Sequence, residues 1–228
     1  DRRQRQMCIR DRVNLTRASA RSGARGKGSK WSEYDFASWC AVWLLYLVEF
    51  SDWDSQSKIG RGYVDGNSSA ISSGGTDSMT YHTGRAAGTN GKTAVQYRHI
   101  ENPYGNVFEF IDGINFSDGT VYVCLNPASY ADDTAANYTN IGSKIQSNGY
   151  ITAIGVAAAM PWAFFPTGVG GSETTYIPDC AYCNSGWRVL FVGGYWNHGG
   201  YAGLFCFHAY NTSSDTNSYV GARLLFHP

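Results

Sequence analysis

Concentrated charge is scarce in this chain. Asp, Glu, Lys and Arg make up 16% of the 228 residues, and 18 basic residues balance 18 acidic ones. A dedicated nucleic-acid surface needs clustered basic charge, so this balance argues against a nucleic-acid partner. Long apolar runs are missing too. The best, Trp39–Phe50, has 12 residues and includes Glu49, whereas a membrane-spanning helix needs roughly 20 apolar residues. A buried core helix is expected there, with no membrane insertion. The first residues are polar and charged, so no signal peptide is read at the start. Metal-ligand sets are thin. Cys8, Cys40, Cys124, Cys180, Cys183 and Cys206 are scattered, and Cys180 and Cys183 form a lone C-x-x-C, whereas a structural zinc takes four ligands. A chain of this size needs no disulfide staples, so the cysteines are read as free. His99 has Glu101 nearby but no further ligand. Neither a metal nor another cofactor is expected.

The most telling absence is local. From Tyr195 to Tyr219 there is no Lys, Arg, Glu, Gln or Met. Tyr, His, Asn, Ser, Thr, Gly and Phe dominate, with one acidic residue, Asp215. Catalytic centres need titratable groups in matched pairs. Aromatic rings offer contact area at low entropic cost, and small polar residues offer adaptable hydrogen bonds. The segment therefore reads as a binding surface, not as an active site.

What is present is a sizeable core and many loops: 43% apolar residues, 15% aromatics and 27 glycines. Residues 1–12 do not look like part of a folded domain, and Met7-Cys8-Ile9-Arg10-Asp11-Arg12 resembles a translated sequencing-adapter end. Residues 13–30 are rich in Arg, Lys, Ser and Gly without an apolar period, and are expected to be disordered. Ser32 or Asp35 is placed to cap a helix over about 33–55, with Phe36, Trp39, Cys40, Trp43, Leu44, Tyr46, Leu47 and Phe50 at helical spacing. Residues 57–92 read as an ordered loop region with short strands. Further strands are expected at about 107–111, 120–125, 150–156, 187–193, 202–210 and 219–226, and loops at 127–149 and 160–186. Alternation along 202–210 sends Phe205, Phe207 and Ala209 to one face. Leu204, Cys206, His208 and Tyr210 fall on the other, expected to be mostly displayed.

Several segments carry a family resemblance. Asn102-Pro103-Tyr104-Gly105-Asn106-Val107-Phe108-Glu109-Phe110 resembles an element of the formylglycine-generating-enzyme type of C-type lectin fold. Gly186-Trp187-Arg188-Val189-Leu190, Gly193-Gly194 with Trp196-Asn197, and Gly221-Ala222-Arg223-Leu224 resemble its closing strands. The aromatic, low-charge middle and the G-A-R-L-L ending are similar to variable proteins of diversity-generating retroelements, which include phage tail-fibre tropism determinants. The resemblance implies an α+β fold of that C-type lectin subtype with long Gly-rich loops. It would fill residues 31–228 as one ligand-binding domain behind an arm at 1–30. It also implies a variable segment at about 195–219, generated by randomising adenines in Asn codons. Tyr195, His198, Tyr201, Cys206, His208, Tyr210, Asp215 and Tyr219 are all reachable from such a codon. Trp196 is not, and reads as fixed framework.

The function implied is non-catalytic recognition of a bacterial surface receptor, protein or glycan, at a phage tail-fibre tip or on a bacterial cell surface. A homotrimer is compatible with that setting. The expected ligand-binding residues are Tyr195, His198, Tyr201, Cys206, His208, Tyr210, Asp215 and Tyr219, with Tyr176 and Tyr182 at the rim. The alternatives are a fixed-specificity adhesin, a structural virion protein, or a copper-using oxidase of the formylglycine-generating type. The last would need a reactive pair among Cys180, Cys183 and Cys206, and no matching motif surrounds them. Trp196-Asn197 lacks the Asp that completes a calcium-dependent sugar motif, because His198 follows. Glu109, Arg188 and Arg223 read as framework residues.

Overall fold

The run from Phe36 to Phe50 becomes a helix because an aspartate starts it and a left-handed residue stops it. Asp35 is extended and its carboxylate accepts from the Ser38 N–H at 2.9 Å, while Ser51 closes the helix at φ 50°. The computed structural model describes residues 13–66, 68–143 and 145–227. The adapter-like residues 1–12 lie outside the described residues. Strand makes up 35% and helix 16%, so the α+β class is weighted to β, and the main sheet curls into a nearly closed barrel.

In chain order the elements are α1 (Arg17–Arg25), β1 (Trp31–Glu33), α2 (Phe36–Phe50), α3 (Ser55–Lys58), β2 (Gly84–Arg85), β3 (Val95–Tyr97), β4 (Ile100–Glu101), β5 (Phe108–Ser117), β6 (Thr120–Val123), β7 (Thr139–Ser143), β8 (Gly149–Ala157), β9 (Met160–Val169), β10 (Cys180–Cys183), β11 (Trp187–Gly193), β12 (Gly203–Ala209), β13 (Val220–Ala222) and β14 (Leu224–Phe226). The main sheet runs β7-β6-β5-β11-β12-β10-β8-β9, with β13 added alongside β5. Pairing is antiparallel except for β10 with β12 and β13 with β5. A separate pair, β1 with β14, sets Trp31 opposite Phe226.

The expected helix is shorter than 33–55 because Trp31–Glu33 pairs as a strand and Ser51 ends the helical run. The expected loop at 160–186 contains two strands, β9 and β10. Pro161 and Pro166 disguise β9 in the sequence. It is the last strand of its sheet, where a missing N–H is tolerated. The expected loop at 127–149 contains β7, the opposite edge. The Asp112-Gly113 turn signal sits inside β5, and Asp118-Gly119 makes the hairpin.

Helix α2 packs on the inner face of the sheet through its rings. Trp43 lies 4.7 Å from Phe205 and 4.3 Å from Trp39, Trp39 reaches Phe207, and the Trp43 Nε1–H donates to the Leu204 carbonyl at 2.8 Å. Phe205, Phe207 and Ala209 are fully buried, as alternation requires. The opposite face of β12 departs from expectation. Leu204 and Cys206 are buried as well, Cys206 in a second small core with Phe108, Phe110, Val189, Phe191 and Val220. Cys206 is therefore not displayed. Only at His208 and Tyr210 does this face open, Tyr210 to 45% exposure. The described cysteines are all free and buried.

Residues 13–30 are not the disordered arm that their composition suggests. Thr16 caps α1, whose buried residues are Arg17, Ala20, Arg21 and Ala24, one helical face. That face enters a notch in β5. Val189 of β11 alone spans the stretch that takes Asp112 to Asn115 on β5. Into the resulting bulge Arg17 donates to the Ile114 carbonyl at 2.7 Å, to Asn115, and to Asp132 at 2.7 Å. Arg21 makes a bidentate pair with Asp112 at 2.6 and 3.0 Å and also reaches Asp132. Burial pushes the Asp132 carboxyl up, but the two arginines outweigh it and hold it below its usual range. Glu33, buried nearby without a hydrogen-bond partner among the described residues, is pushed well above the usual range by burial and by the Asp112 charge.

Three outcomes follow for denaturant unfolding. Phe205→Ala should cost about 3–5 kcal/mol, whereas Tyr210→Ser should stay within about 0.5 kcal/mol. Arg17→Ala leaves buried acceptors unpaired and should cost about 3–5 kcal/mol; a dispensable arm would predict no change.

Candidate functional site

Strands β5, β11 and β12 lie side by side, and their register aligns Phe110, Phe191 and His208 across the sheet. This face carries the second core upward until it meets solvent. Phe108 is the highest buried ring. It contacts Tyr195 at 5.5 Å, His198 at 5.1 Å, His208 at 4.9 Å and Tyr219 at 6.4 Å. The parallel strand β13 brings Tyr219 there, because its carbonyl accepts from the Phe108 N–H at 2.8 Å. The parallel pairing of β10 with β12 sets Tyr182 opposite His208, with ring centres 4.8 Å apart.

The remaining wall is the loop 194–201. Gly194 has φ 81°, and a Cβ there would sit 2.6 Å from the Ala202 Cβ and 2.7 Å from the His198 Nδ1. No other residue type lets the loop fold back so tightly. The Trp196 N–H donates to the Asn106 carbonyl at 3.1 Å, and its ring packs beside Val107. Trp196 is thus an anchor for the loop. Tyr195 stacks on His198 at 5.1 Å and meets Tyr219 at 4.8 Å.

The product is an open basin of about 460 Å³ lined by Phe108, Tyr182, Tyr195, Asn197, His198, Tyr201, His208, Tyr210, Asn211 and Tyr219. Seven residues singled out from the sequence meet here: Tyr182, Tyr195, His198, Tyr201, His208, Tyr210 and Tyr219. Three do not line it. Cys206 lies beneath the floor. Asp215 shapes the wall from behind, accepting from the Asn211 side chain at 2.9 Å and the Thr212 N–H at 2.8 Å. Tyr176 stands outside the basin with its hydroxyl donating to the Thr152 carbonyl at 2.8 Å. Sequence reasoning missed Phe108, Asn197 and Asn211. Phe108 was legible as the partner of Phe110 in an alternating strand, but nothing local says that the strand ends under a basin.

The basin's two imidazoles are uncharged. Burial lowers His198 to about 4; burial, with the neighbouring His198, lowers His208 to about 3. Both Nδ1 atoms are buried without a partner among the described residues. No group of three or more His, Cys, Asp or Glu able to hold a metal occurs among the described residues. Deeper in the molecule, the Asp179 Oδ2 accepts from the Phe205 N–H at 2.7 Å. The fully buried carboxyl is pushed well above its usual range by burial. The framework residues behave as expected where they carry bonds. Arg223 holds Glu109 with two 3.0 Å contacts and also donates to the Glu101 carbonyl at 2.8 Å. The Arg188 Nη1 donates to the Trp187 carbonyl at 2.7 Å.

Comparison with protein-family models gave no match, and comparison with curated proteins gave none either.

Stability should respond to pH with two opposing signs. An unfolded imidazole takes up a proton below about pH 6.5 that the native one refuses, so the histidines make stability fall as pH drops from 6.5 toward 4. Burial pushes the Asp179 carboxyl up, so it costs stability as pH rises above the usual carboxyl range. Melting curves should show His208→Asn gaining on the parent at pH 4.5 relative to pH 8, and Asp179→Asn gaining at pH 8 relative to pH 4.5.

Proposed function

We propose that the chain is a non-catalytic recognition module whose aromatic basin binds a receptor on a bacterial surface, in the manner of the variable proteins of diversity-generating retroelements on a C-type lectin fold. The observation that carries this reading is the convergence of seven residues from one low-charge segment and its rim on a single open hollow. The supporting chemistry is rigid rings with two χ angles each, uncharged imidazoles and two asparagine amides, which can meet many partners without a desolvation penalty for buried charge. The framework below is separate: Phe205, Phe207, Gly194 and Trp196 hold the fold, and Tyr210, Asn211, Asn197 and Tyr201 face outward. Diversifying the second group would leave the first intact.

A tail-fibre tip or bacterial surface protein suits this reading. A shallow site of this kind binds weakly alone, and several copies on one particle, as in a trimer, would gain strength by avidity. The oxidase alternative is disfavoured by the thiols. Burial pushes Cys180 up to about 12 and Cys206 well above its ordinary value. Neither would present the thiolate that such chemistry requires.

The test is binding of the chain to intact bacteria from a strain panel. Tyr210→Ser and Asn211→Ala should change or abolish strain preference by tenfold or more while the melting temperature moves by less than a few degrees. Unchanged binding by both folded variants overturns the reading. At the gene, the codons for 187–226 should have a near-copy with adenines at the variable positions, beside a reverse-transcriptase gene. A complete locus without such a repeat would leave a fixed-specificity adhesin.

A further inference from the structure

The basin does not end at its own wall. Asn197, His198 and Tyr201 also line a second hollow of about 420 Å³ on the far side of the loop, and that hollow shares Glu173 and Gly200 with a third of about 430 Å³. The three hollows adjoin around the loop, with Gly199-Gly200-Tyr201 as the ridge between them. A Cβ on Gly199 would meet nothing within 4 Å, and one on Gly200 would lie 3.5 Å from the Glu173 carboxylate, so neither glycine of the ridge is crowded.

The far end is chemically unlike the basin. Its lining includes Asp54, Gln56, Arg61, Asn90, Glu173 and Thr174, with Pro178 the one apolar side chain. It is a built surface. Asp54 caps α3, with its carboxylate accepting from the Ser57 N–H at 2.9 Å. The Asn90 carbonyl oxygen accepts from the Arg61 N–H at 2.8 Å, and the Gln56 amide donates to the Gly199 carbonyl at 3.1 Å. Arg61 is held by Asp65 and also bonds Gln56 at 3.3 Å. Its charge also acts on Glu173 and Asp54, so one guanidinium faces three carboxylates and the cleft keeps an excess of negative charge. Gly200 is the one lining residue within 195–219, so the cleft belongs to the constant part of the chain.

We infer that this cleft is a constant subsite for a sugar chain, uncharged or amine-bearing, whose other end lies in the aromatic basin. Planar carboxylates, amides and hydroxyls match ligand groups that both donate and accept hydrogen bonds. The near absence of apolar lining offers a peptide side chain nothing to bury. On the ridge, Tyr201 is exposed and meets Tyr150 at a 45° tilt with ring centres 5.3 Å apart, offering a ring face for a sugar's C–H surface. The residual negative charge selects against uronates and sialylated chains, and favours a protonated amine. The contrast between constant and varied ends rests on the proposed function; sugar binding by the cleft does not.

The probes are tetramers of N-acetylglucosamine, glucosamine and galacturonic acid, mixed with the full chain and followed by saturation-transfer NMR and calorimetry. The first two should bind and the third should not. Glu173→Gln, at a side chain without a hydrogen bond among the described residues, and Asp54→Asn, which keeps a good cap, should each weaken the glucosamine tetramer fivefold or more with unchanged melting. Absence of binding by both the neutral and the amine-bearing tetramer, preference for the galacturonate, or less than twofold effects of both variants would overturn the inference. Tyr210→Ser separates the two readings. If it abolishes bacterial binding while the cleft variants leave tetramer binding intact, the basin stands and the cleft fails. If the tetramers respond only to the cleft variants and bacteria are indifferent to Tyr210, the cleft stands alone.

Discussion

Strand β12 is buried on both faces, and most of the molecule is arranged by that constraint. One face gives Phe205 and Phe207 to the tryptophans of α2. The other gives Cys206 to a small phenylalanine core and leaves His208 as the first group in reach of solvent. A strand enclosed on both sides tolerates little movement, since packed interiors transmit displacement rather than absorb it. The basin therefore has a fixed floor, and adaptability resides in the loops at its edge. The cost appears in the buried polar groups. Burial pushes the Asp179 carboxyl up and the His208 imidazole down, disfavouring the charged form of each.

The second constraint is the notch in β5. A bulge of this size exposes backbone carbonyls and would be a weak point in an open sheet. Arg17 and Arg21 fill it with guanidinium groups, whose several donors can serve carbonyls, an amide and two aspartates at once. The helix that delivers them is consequently part of the fold, and the Phe108 end of β5, which reaches the basin, begins four residues before the filled notch.

These features explain what was legible in the sequence. Strands β11 and β12 and the apolar helix could be read because their apolar patterns are dense. The basin residues could be read because their composition departs from the rest of the chain. Helix α1 could not, because its buried face is written in arginine and alanine, and a search for apolar periodicity is blind to that. Strand β9 was hidden by two prolines that are harmless only at an edge, a fact about neighbours. Cys206 was misassigned because alternation identifies two faces but says nothing about what lies over the second one. That depended on β5, β11 and β13 arriving from distant parts of the chain.

Gly203 draws out a practical consequence. A Cβ there would fall 2.1 Å from the Asp179 carboxylate, and Gly194 is equally intolerant. Together with Trp196, Phe205 and Phe207 they mark the positions that a synthetic combinatorial library must leave untouched. Codons 197, 201, 210 and 211 are where an engineer could write new specificities into this scaffold without first having to rescue its expression.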